Sequence, residues 1–180
     1  MKGQIGLEYI IVLILFIATV TYTFITVASF LPKYLEEVRS QRLRTEVYQV
    51  SQLLLNNPGD PVNWETGNLD INNINRVGLL VNGSDSTNVL GRTKLFSFNT
   101  LCGNGVNYQN LKSKFALDFD FSIVLNFTSL SGQSSTFTCE PTIAATGRVN
   151  VTLTRIFATE SIVNGVNAID GYGTMKINMW

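Results

Sequence analysis

The chain is 180 residues long, and its 13 basic residues balance its 13 acidic ones, so no excess charge points to nucleic acid or to an acidic substrate. Charged residues make up only 14% of the sequence, and histidine, the commonest general base and metal ligand, is absent. The composition therefore argues against a nucleic-acid-binding domain and histidine-based catalysis, and the length suits one ordinary domain with an attached segment.

The first predicted element is a long apolar segment. No residue is charged from Tyr9 to Pro32, and at about 1.5 Å per residue such a run can cross a hydrocarbon core of roughly 30 Å as a helix. It is too long for the apolar core of a conventional signal peptide, and no small-residue cleavage site follows it. The basic residues that follow it would, by the loop-charge rule alone, favour a cytoplasmic C-terminal part.

A single carboxylate stands at the edge of this segment. Glu8 would be costly there without a partner, and it lies four residues after Gln4, which itself follows Lys2 and Gly3. The pattern Lys-Gly-Gln-x-x-x-Glu before an apolar run resembles the processing site of type IV prepilins. The closest match is the archaeal form, the class III signal peptide.

This resemblance implies a use for the N-terminus. A prepilin peptidase would cut between Gly3 and Gln4, residues 1–3 would be the leader, and Glu8 would become the fifth residue of the mature chain. The carboxylate of an incoming subunit would pair with the new ammonium group on Gln4 of a subunit already in the filament. In such systems the rest of the chain lies outside the cell, which would answer the loop-charge objection.

The helical pattern continues past Pro32 without the membrane composition. Apolar residues recur at spacings near three and four and form one stripe between charged residues: Leu35, Val38, Leu43, Val47, Val50 and Leu54. We expect one continuous helix, kinked at Pro32, whose stripe packs on the head. The proline- and glycine-containing segment 56–64 should end it. The predicted domains are thus an assembly and transmembrane helix over 4–56 and a head over 57–180.

From about Arg76 onward the sequence is typical of β-structure. Apolar and polar residues alternate over 115–128, 148–155 and 175–180, as in strands with one buried face. Further strand candidates are 77–81, 93–98 and Ser134–Cys139, and Asn-Gly pairs at 82, 104 and 164 suggest turns. We predict an α+β fold in which the long hydrophobic helix precedes an antiparallel β-rich head, either a sandwich or a curved sheet.

Two features of the head suit an extracellular location. Asn82, Asn126 and Asn150 each begin an Asn-x-Ser/Thr sequon, the acceptor for N-linked glycans, and the last two fall on the predicted solvent face of their strands. Cys102 and Cys139 could form a disulfide in an oxidising compartment, stabilising the fold by roughly 3–4 kcal/mol. Two reduced core thiols are the alternative, and the spacing matches no zinc site.

No arrangement of residues indicates catalysis. Asp118 and Asp120 share a predicted strand face and could bind a cation or act as an acid/base pair, but alternate acids on a solvated face usually do neither. Gly103-Asn-Gly105 and Gly171-Tyr-Gly173 lack the strand–loop–helix context of a phosphate site. We expect a structural protein without enzymatic activity, cofactor or metal.

The resemblance implies the structural subunit of an extracellular type IV pilus-like filament, and we expect the filament to serve adhesion to a surface or a cell receptor. Its partners would be identical subunits, the prepilin peptidase and, before assembly, the cytoplasmic membrane. Two alternatives stay open: an archaellum-type filament subunit, and a membrane-anchored binding domain that never polymerises. A minor or tip subunit is a variant of the first interpretation.

Overall fold

The computed structural model describes residues 4–66, 69–83, 87–103, 105–141, 151–163 and 166–180. The chain divides into two compact units, with the boundary between Gln41 and Arg42. We call the second unit, Arg42–Trp180, the head.

The first element is α1 (Gln4–Asn56), a helix that contains Pro32 without interruption. The prediction of one continuous helix through this proline is confirmed, while the kink expected there stays a prediction. Because the boundary between the two units falls inside this helix, we call 4–41 its first stretch and 42–56 its second stretch.

The head combines short helices with one sheet. After 3-10 turns at Trp64–Thr66 and Ile71–Asn73 come β1 (Val89–Gly91), α2 (Arg92–Cys102), α3 (Gly105–Lys114), β2 (Phe121–Ser129), β3 (Ser134–Cys139), β4 (Val151–Val163) and β5 (Val166–Met179). The described strands form a five-stranded sheet in the order β1-β4-β5-β2-β3. All neighbours are antiparallel except β1 and β4. The predicted α+β fold is confirmed.

One face of this sheet is buried. On β2 the alternate residues Phe121, Ile123, Leu125 and Phe127 are at most 3% exposed, whereas Asn126 between them is exposed. The buried side chains join a single core with residues of α2, α3, β5 and the second stretch of α1. Burying apolar surface on this scale is the dominant favourable contribution to folding.

The second stretch of α1 supplies its own stripe to this core. The predicted stripe residues from Leu43 to Leu54 are 0–2% exposed. Leu35 and Val38, which the same pattern included, are 59% and 45% exposed. The predicted stripe is therefore wrong in its first two members, which belong to the first unit and not to the head.

The strand predicted over 93–98 is wrong, because these residues lie in α2. The buried residues Leu95, Phe98 and Leu101 recur every three positions along this helix. A window of six residues is too short to separate that helical period from the alternation of a strand.

The strand predicted over 115–128 is wrong in its first part. Residues 115–120 form the turn after α3, in which the amides of Phe115 and Leu117 donate to the carbonyls of Leu111 and Lys112. Both side chains still enter the core, at 9% and 8% exposure. A buried loop can thus reproduce the alternation of a strand, and the true strand β2 begins only after it.

The other strand predictions have a mixed outcome. Ser134–Cys139 is β3 as predicted, and residues 151–155 and 175–179 lie in the longer strands β4 and β5. Segment 77–81 is extended, with a bridge between Leu80 and Leu90 and no strand of its own. Residues 148–150 lie outside the described residues.

The predicted turns are only partly described. Asn82 and Gly83 form a turn, with Gly83 at a φ of +74° that glycine adopts without strain. Asn104 and the Asn164-Gly165 pair lie outside the described residues. On either side of that pair, Val163 and Val166 are antiparallel partners, as a hairpin requires.

Candidate functional sites

The first stretch of α1 carries a continuous apolar surface. Every large apolar side chain from Leu7 to Leu35 is 43–73% exposed. The most apolar 18-residue window has a mean hydropathy of 2.6, and none of it is buried. By length and composition the helix can cross a membrane, as an anchor or a signal segment would. Soluble monomers rarely expose apolar patches of more than a few hundred Å², so this surface is a candidate for contact with lipid or with other chains.

Four hydroxyl groups of the first stretch are bonded within the helix. Each donates to a carbonyl three or four residues earlier, at 2.7–2.8 Å: Thr19, Thr23, Thr26 and Ser29. A polar group without such a partner would be costly in lipid or in a packed apolar bundle. These residues were not among the predicted functional residues, although their spacing of three and four along the sequence was a visible signal.

Glu8 is the single charged residue between Gln4 and Pro32, and its side chain is exposed. The described backbone is helical from Gln4 onward, so Glu8 lies one turn further, about 6 Å along the axis and on nearly the same face. Gly3, the predicted end of the leader, lies outside the described residues. Processing after Gly3 and pairing of Gln4 with Glu8 stay predictions.

Cys102 and Cys139 are bonded to each other, which confirms the expected disulfide. The bond joins the last residue of α2 to the last residue of β3, with the two Cα atoms 5.0 Å apart. It closes a loop with a sequence separation of 37 residues, and a loop of this length corresponds to about 4 kcal/mol of unfolded-state entropy.

Two of the three sequon asparagines lie among the described residues. Asn82 is exposed at the turn before β1, and Asn126 is exposed on the open face of the sheet. Both side chains can therefore be reached from solvent. Asn150 lies outside the described residues, and glycosylation of all three stays a prediction.

Asp118 and Asp120 are each engaged by a different cation. Arg42 forms an ion pair with Asp118, and the Lys112 ammonium lies 2.7 Å from Asp120. Among the described residues there is also no group of three or more histidine, cysteine or acidic side chains that could hold a metal ion. The two acids thus fasten the turn before β2 to α1 and α3.

The Gly171-Tyr-Gly173 segment has a packing explanation. A Cβ atom on Gly173 would lie 2.6 Å from the ring of Phe157, and one on Gly171 would lie 2.6 Å from the carbonyl oxygen of Thr128. Both glycines are therefore needed where β5 packs closely against its neighbours.

A buried lysine in the head had no signal in the sequence. Lys94 is 2% exposed, and its ammonium donates to the carbonyls of Pro58, at 2.6 Å, and Leu80, at 3.0 Å. Burial lowers the pKa of Lys94, and the nearby charge of Glu65 partly opposes this effect. These hydrogen bonds tie the start of α2 to the segment that follows α1.

A second polar group lies at the start of α2. Arg92 donates to one oxygen of Asp170 at 3.0 Å, and the Thr159 hydroxyl donates to the other at 2.7 Å. Burial alone would raise the pKa of Asp170, but hydrogen bonds from Thr159, Arg92 and Ser161, together with the charge of Arg92, outweigh it and lower this pKa.

Beside these groups the head contains a cavity of about 640 Å³. Its walls come from the segment before and at the first 3-10 turn, from the turn at Asn82, from the start of α2 and from Glu160 and Ser161 on β4. We call it the head cavity. Its size falls in the range of ordinary small-ligand sites, about 300–1,000 Å³.

Comparison with known proteins found a relative in Archaeoglobus fulgidus that is 31% identical to the chain over 144 residues. The match covers 72% of this chain and 74% of the relative, which is described as an uncharacterized protein. No family model matches the chain. No solved structure matches it.

Proposed function

The chain belongs to one family with this Archaeoglobus fulgidus protein, and we propose that it is a structural subunit of an extracellular type IV pilus-like filament. The observation that carries the proposal lies in the first stretch of α1, where Glu8, one turn after Gln4, is the single charged residue of an exposed apolar helix up to Pro32. An archaeal relative agrees with the archaeal form of the processing motif.

In the proposed pathway a prepilin peptidase removes residues 1–3 and leaves an ammonium group on Gln4. That group pairs with Glu8 of a neighbouring subunit, which neutralises both charges among apolar side chains. The Glu8 side chain is exposed, so its carboxylate is accessible to a neighbouring subunit.

The helix geometry gives this pairing a measurable consequence. Gln4 and Glu8 are four residues apart, which is about 6 Å along a helix axis. Two parallel helices that pair the N-terminus of one with Glu8 of the other are therefore staggered by about 6 Å. We expect this axial offset between the paired subunits of the filament.

The proposal also accounts for the rest of the first stretch. Its apolar side chains would be covered by lipid before assembly and by identical helices afterwards. The internally bonded hydroxyls of Thr19, Thr23 and Thr26 are compatible with both surroundings. The disulfide between Cys102 and Cys139 and the reachable sequons at Asn82 and Asn126 suit a head outside the cell. Adhesion is the proposed use of the filament.

A membrane-anchored head that never polymerises is the second candidate, because the same helix meets the requirements of a single anchor. An anchor needs neither a cleaved leader nor a charged pair. The two candidates therefore differ in the N-terminus of the mature chain and in the importance of Glu8.

Mass spectrometry of the chain from a sheared cell-surface fraction tests the proposal. We expect a mature chain that begins at Gln4, recovered in sedimentable filaments. A chain that keeps Lys2 and Gly3 and is found only in membranes would overturn the filament and favour the anchored head.

A further inference from the structure

The head cavity has walls whose two cations are already engaged. The Lys94 ammonium donates to two backbone carbonyls, and the Arg92 guanidinium is bound to Asp170 and lies over the ring of Phe96 at 6.0 Å from its centroid. These contacts do not use every donor of the two groups, since a lysine ammonium has three N–H groups and an arginine guanidinium has five. The Arg92 guanidinium in particular can still donate to an oxygen atom of a ligand.

Several acceptors of the cavity have no partner among the described residues. One carboxylate oxygen of Glu65 is buried without a hydrogen-bond partner among the described residues. The carboxylate of Glu160 and the side-chain amides of Asn63 and Asn82 also line the cavity, and they make no hydrogen bond to any described residue. A buried acceptor without a partner is costly, and this oxygen has almost no accessible surface, so a turn of the Glu65 side chain into the cavity would let it accept from a ligand.

The distribution of charge selects the class of ligand. Glu65 and Glu160 bring two negative charges to the lining of the cavity, and Arg92 and Lys94 bring two positive ones, so no net charge attracts an anion or a cation. What remains favourable is a neutral ligand that both donates and accepts hydrogen bonds. Hydroxyl groups do both, because each one can donate to a carboxylate and accept from an amide.

The cavity also has an apolar wall. Phe96 lines it with a ring that is 45% exposed, and Val81 lies on the same cavity. A sugar ring presents C–H groups on its faces and hydroxyls around its edge, which matches an apolar wall beside free acceptors. We propose that the head cavity is a carbohydrate-binding site, in which Glu65, Glu160, Asn63 and Asn82 bind the hydroxyls.

The carbohydrate could come from two sources. It could belong to another molecule or cell surface, or it could be the first sugar of a glycan on Asn82, which both begins a sequon and lines the cavity. The chemistry is the same in both cases. All lining residues of the cavity belong to the head, so carbohydrate binding can be tested independently of filament assembly.

The test uses the full chain from a bacterial host without N-glycosylation, dissolved in an amine-oxide detergent that carries no sugar headgroup. The probes are the methyl glycosides of glucose, mannose and N-acetylglucosamine, followed by saturation-transfer NMR and calorimetric titration. We expect at least one glycoside to bind. Glu160→Gln and Asn63→Ala should each weaken its affinity about tenfold, the effect of one lost hydrogen bond to a charged or amide group.

Glu140→Gln is the matched control, because Glu140 is exposed at the end of β3 and does not line the cavity. This variant should bind within twofold of the unchanged chain. The proposal is overturned if no glycoside binds, if Glu160→Gln and Asn63→Ala bind as well as the control, or if inorganic phosphate or arginine amide binds in place of the glycosides.

A further arm separates the two sources. The chain isolated from its glycosylating cells is compared with Ser84→Ala from the same cells, a variant that removes the sequon and keeps Asn82. If the glycan of Asn82 fills the cavity, only the Ser84→Ala chain binds added glycoside; if both chains bind, the site takes sugar from elsewhere. Either result supports carbohydrate binding. If neither of these chains nor the unglycosylated chain binds a glycoside, carbohydrate binding is overturned.

Discussion

The two stretches of α1 both contain many apolar residues, but these residues are exposed in the first stretch and mostly buried in the second. Leu15 in the first stretch is 62% exposed, and Leu54 in the second is 0% exposed. The second stretch confines its apolar residues to one stripe, which the rest of the head covers. The first is apolar on every side around Leu15, so a single partner on one side leaves most of it uncovered. The distribution of apolar residues around a helix, more than their number, decides what can bury it.

The largest effect is expected from truncating the covered stretch. Leu54→Ala should lower the free energy of unfolding of the head by about 3–4 kcal/mol, since it removes buried methyl groups and leaves a cavity. Urea unfolding of the full chain in detergent, followed by the fluorescence of the buried Trp64, measures this loss. Leu15→Ala is the matched control and should change the stability of the head by less than about 0.5 kcal/mol. Equal losses from the two variants would contradict the division between the stretches.

Glu8→Ala should have the next largest effect, and we expect it to impair filament assembly alone. Loss of one charged pair among apolar side chains corresponds to a roughly hundredfold weaker association between subunits. The yield of sheared filaments measures it, while processing and the unfolding of the head should stay unchanged. Glu36→Ala, an exposed acid on the same stretch, is the control. Normal filaments from Glu8→Ala would rule out the pairing.

A smaller effect is expected from Tyr108→Phe, which acts on the head alone. The Tyr108 hydroxyl donates to the carbonyl of Phe121 at 3.1 Å and accepts from its amide at 2.9 Å. Without it both backbone groups lose a partner, at a cost of about 1–2 kcal/mol. Urea unfolding should show this loss with filament yield unchanged. An unaltered unfolding curve would show that another group replaces the hydroxyl.

The same residue predicts a dependence on alkaline pH. Burial raises the pKa of Tyr108 from 10.0 to about 12, so the folded head keeps the proton to higher pH than the unfolded chain. Its contribution to stability is complete below pH 10 and decreases as the pH rises from 10 towards 12. The pKa of Lys94 is lowered from 10.5, so its effect on stability has the opposite sign: the head gains stability from it as the pH rises towards 10.5. The difference between the unchanged chain and Tyr108→Phe isolates the tyrosine, and a difference constant over that range would refute the assignment.

Thr23→Val should have the smallest effect. The Thr23 hydroxyl is bound only to the carbonyl of Thr19 in its own helix, and valine has nearly the same shape. We expect filament yield within twofold of normal and no change in the unfolding of the head. Thr23→Asn, which adds a larger amide, is the contrasting variant and should reduce assembly. A severe defect in Thr23→Val would mean that the hydroxyl binds a neighbouring subunit.

The sequence was most informative where a property is local. The long helix, the position of Glu8 and the alternation within β2 can be seen in consecutive residues. The pairing of Cys102 with Cys139 follows from the presence of two cysteines. These features need no knowledge of how distant segments meet.

The sequence was least informative where distant segments meet. Residues 93–98 and 115–120 have short alternations that a helix and a buried loop reproduce, so the strands predicted there were wrong. The burial of Lys94 depends on the carbonyls of Pro58 and Leu80, which no local pattern brings to it. The head cavity likewise gathers four separate segments, and its residues could not be found from the sequence.

The position of β5 has a consequence for the order of events during synthesis. This strand, Val166–Met179, lies between β4 and β2 in the middle of the sheet. Until the ribosome has released it, β2 and β4 have no central partner, and the head cannot complete its core. The hydrophobic first stretch emerges long before that moment. Targeting of the N-terminus therefore precedes folding of the head, and a nascent chain stalled before residue 166 should remain sensitive to protease.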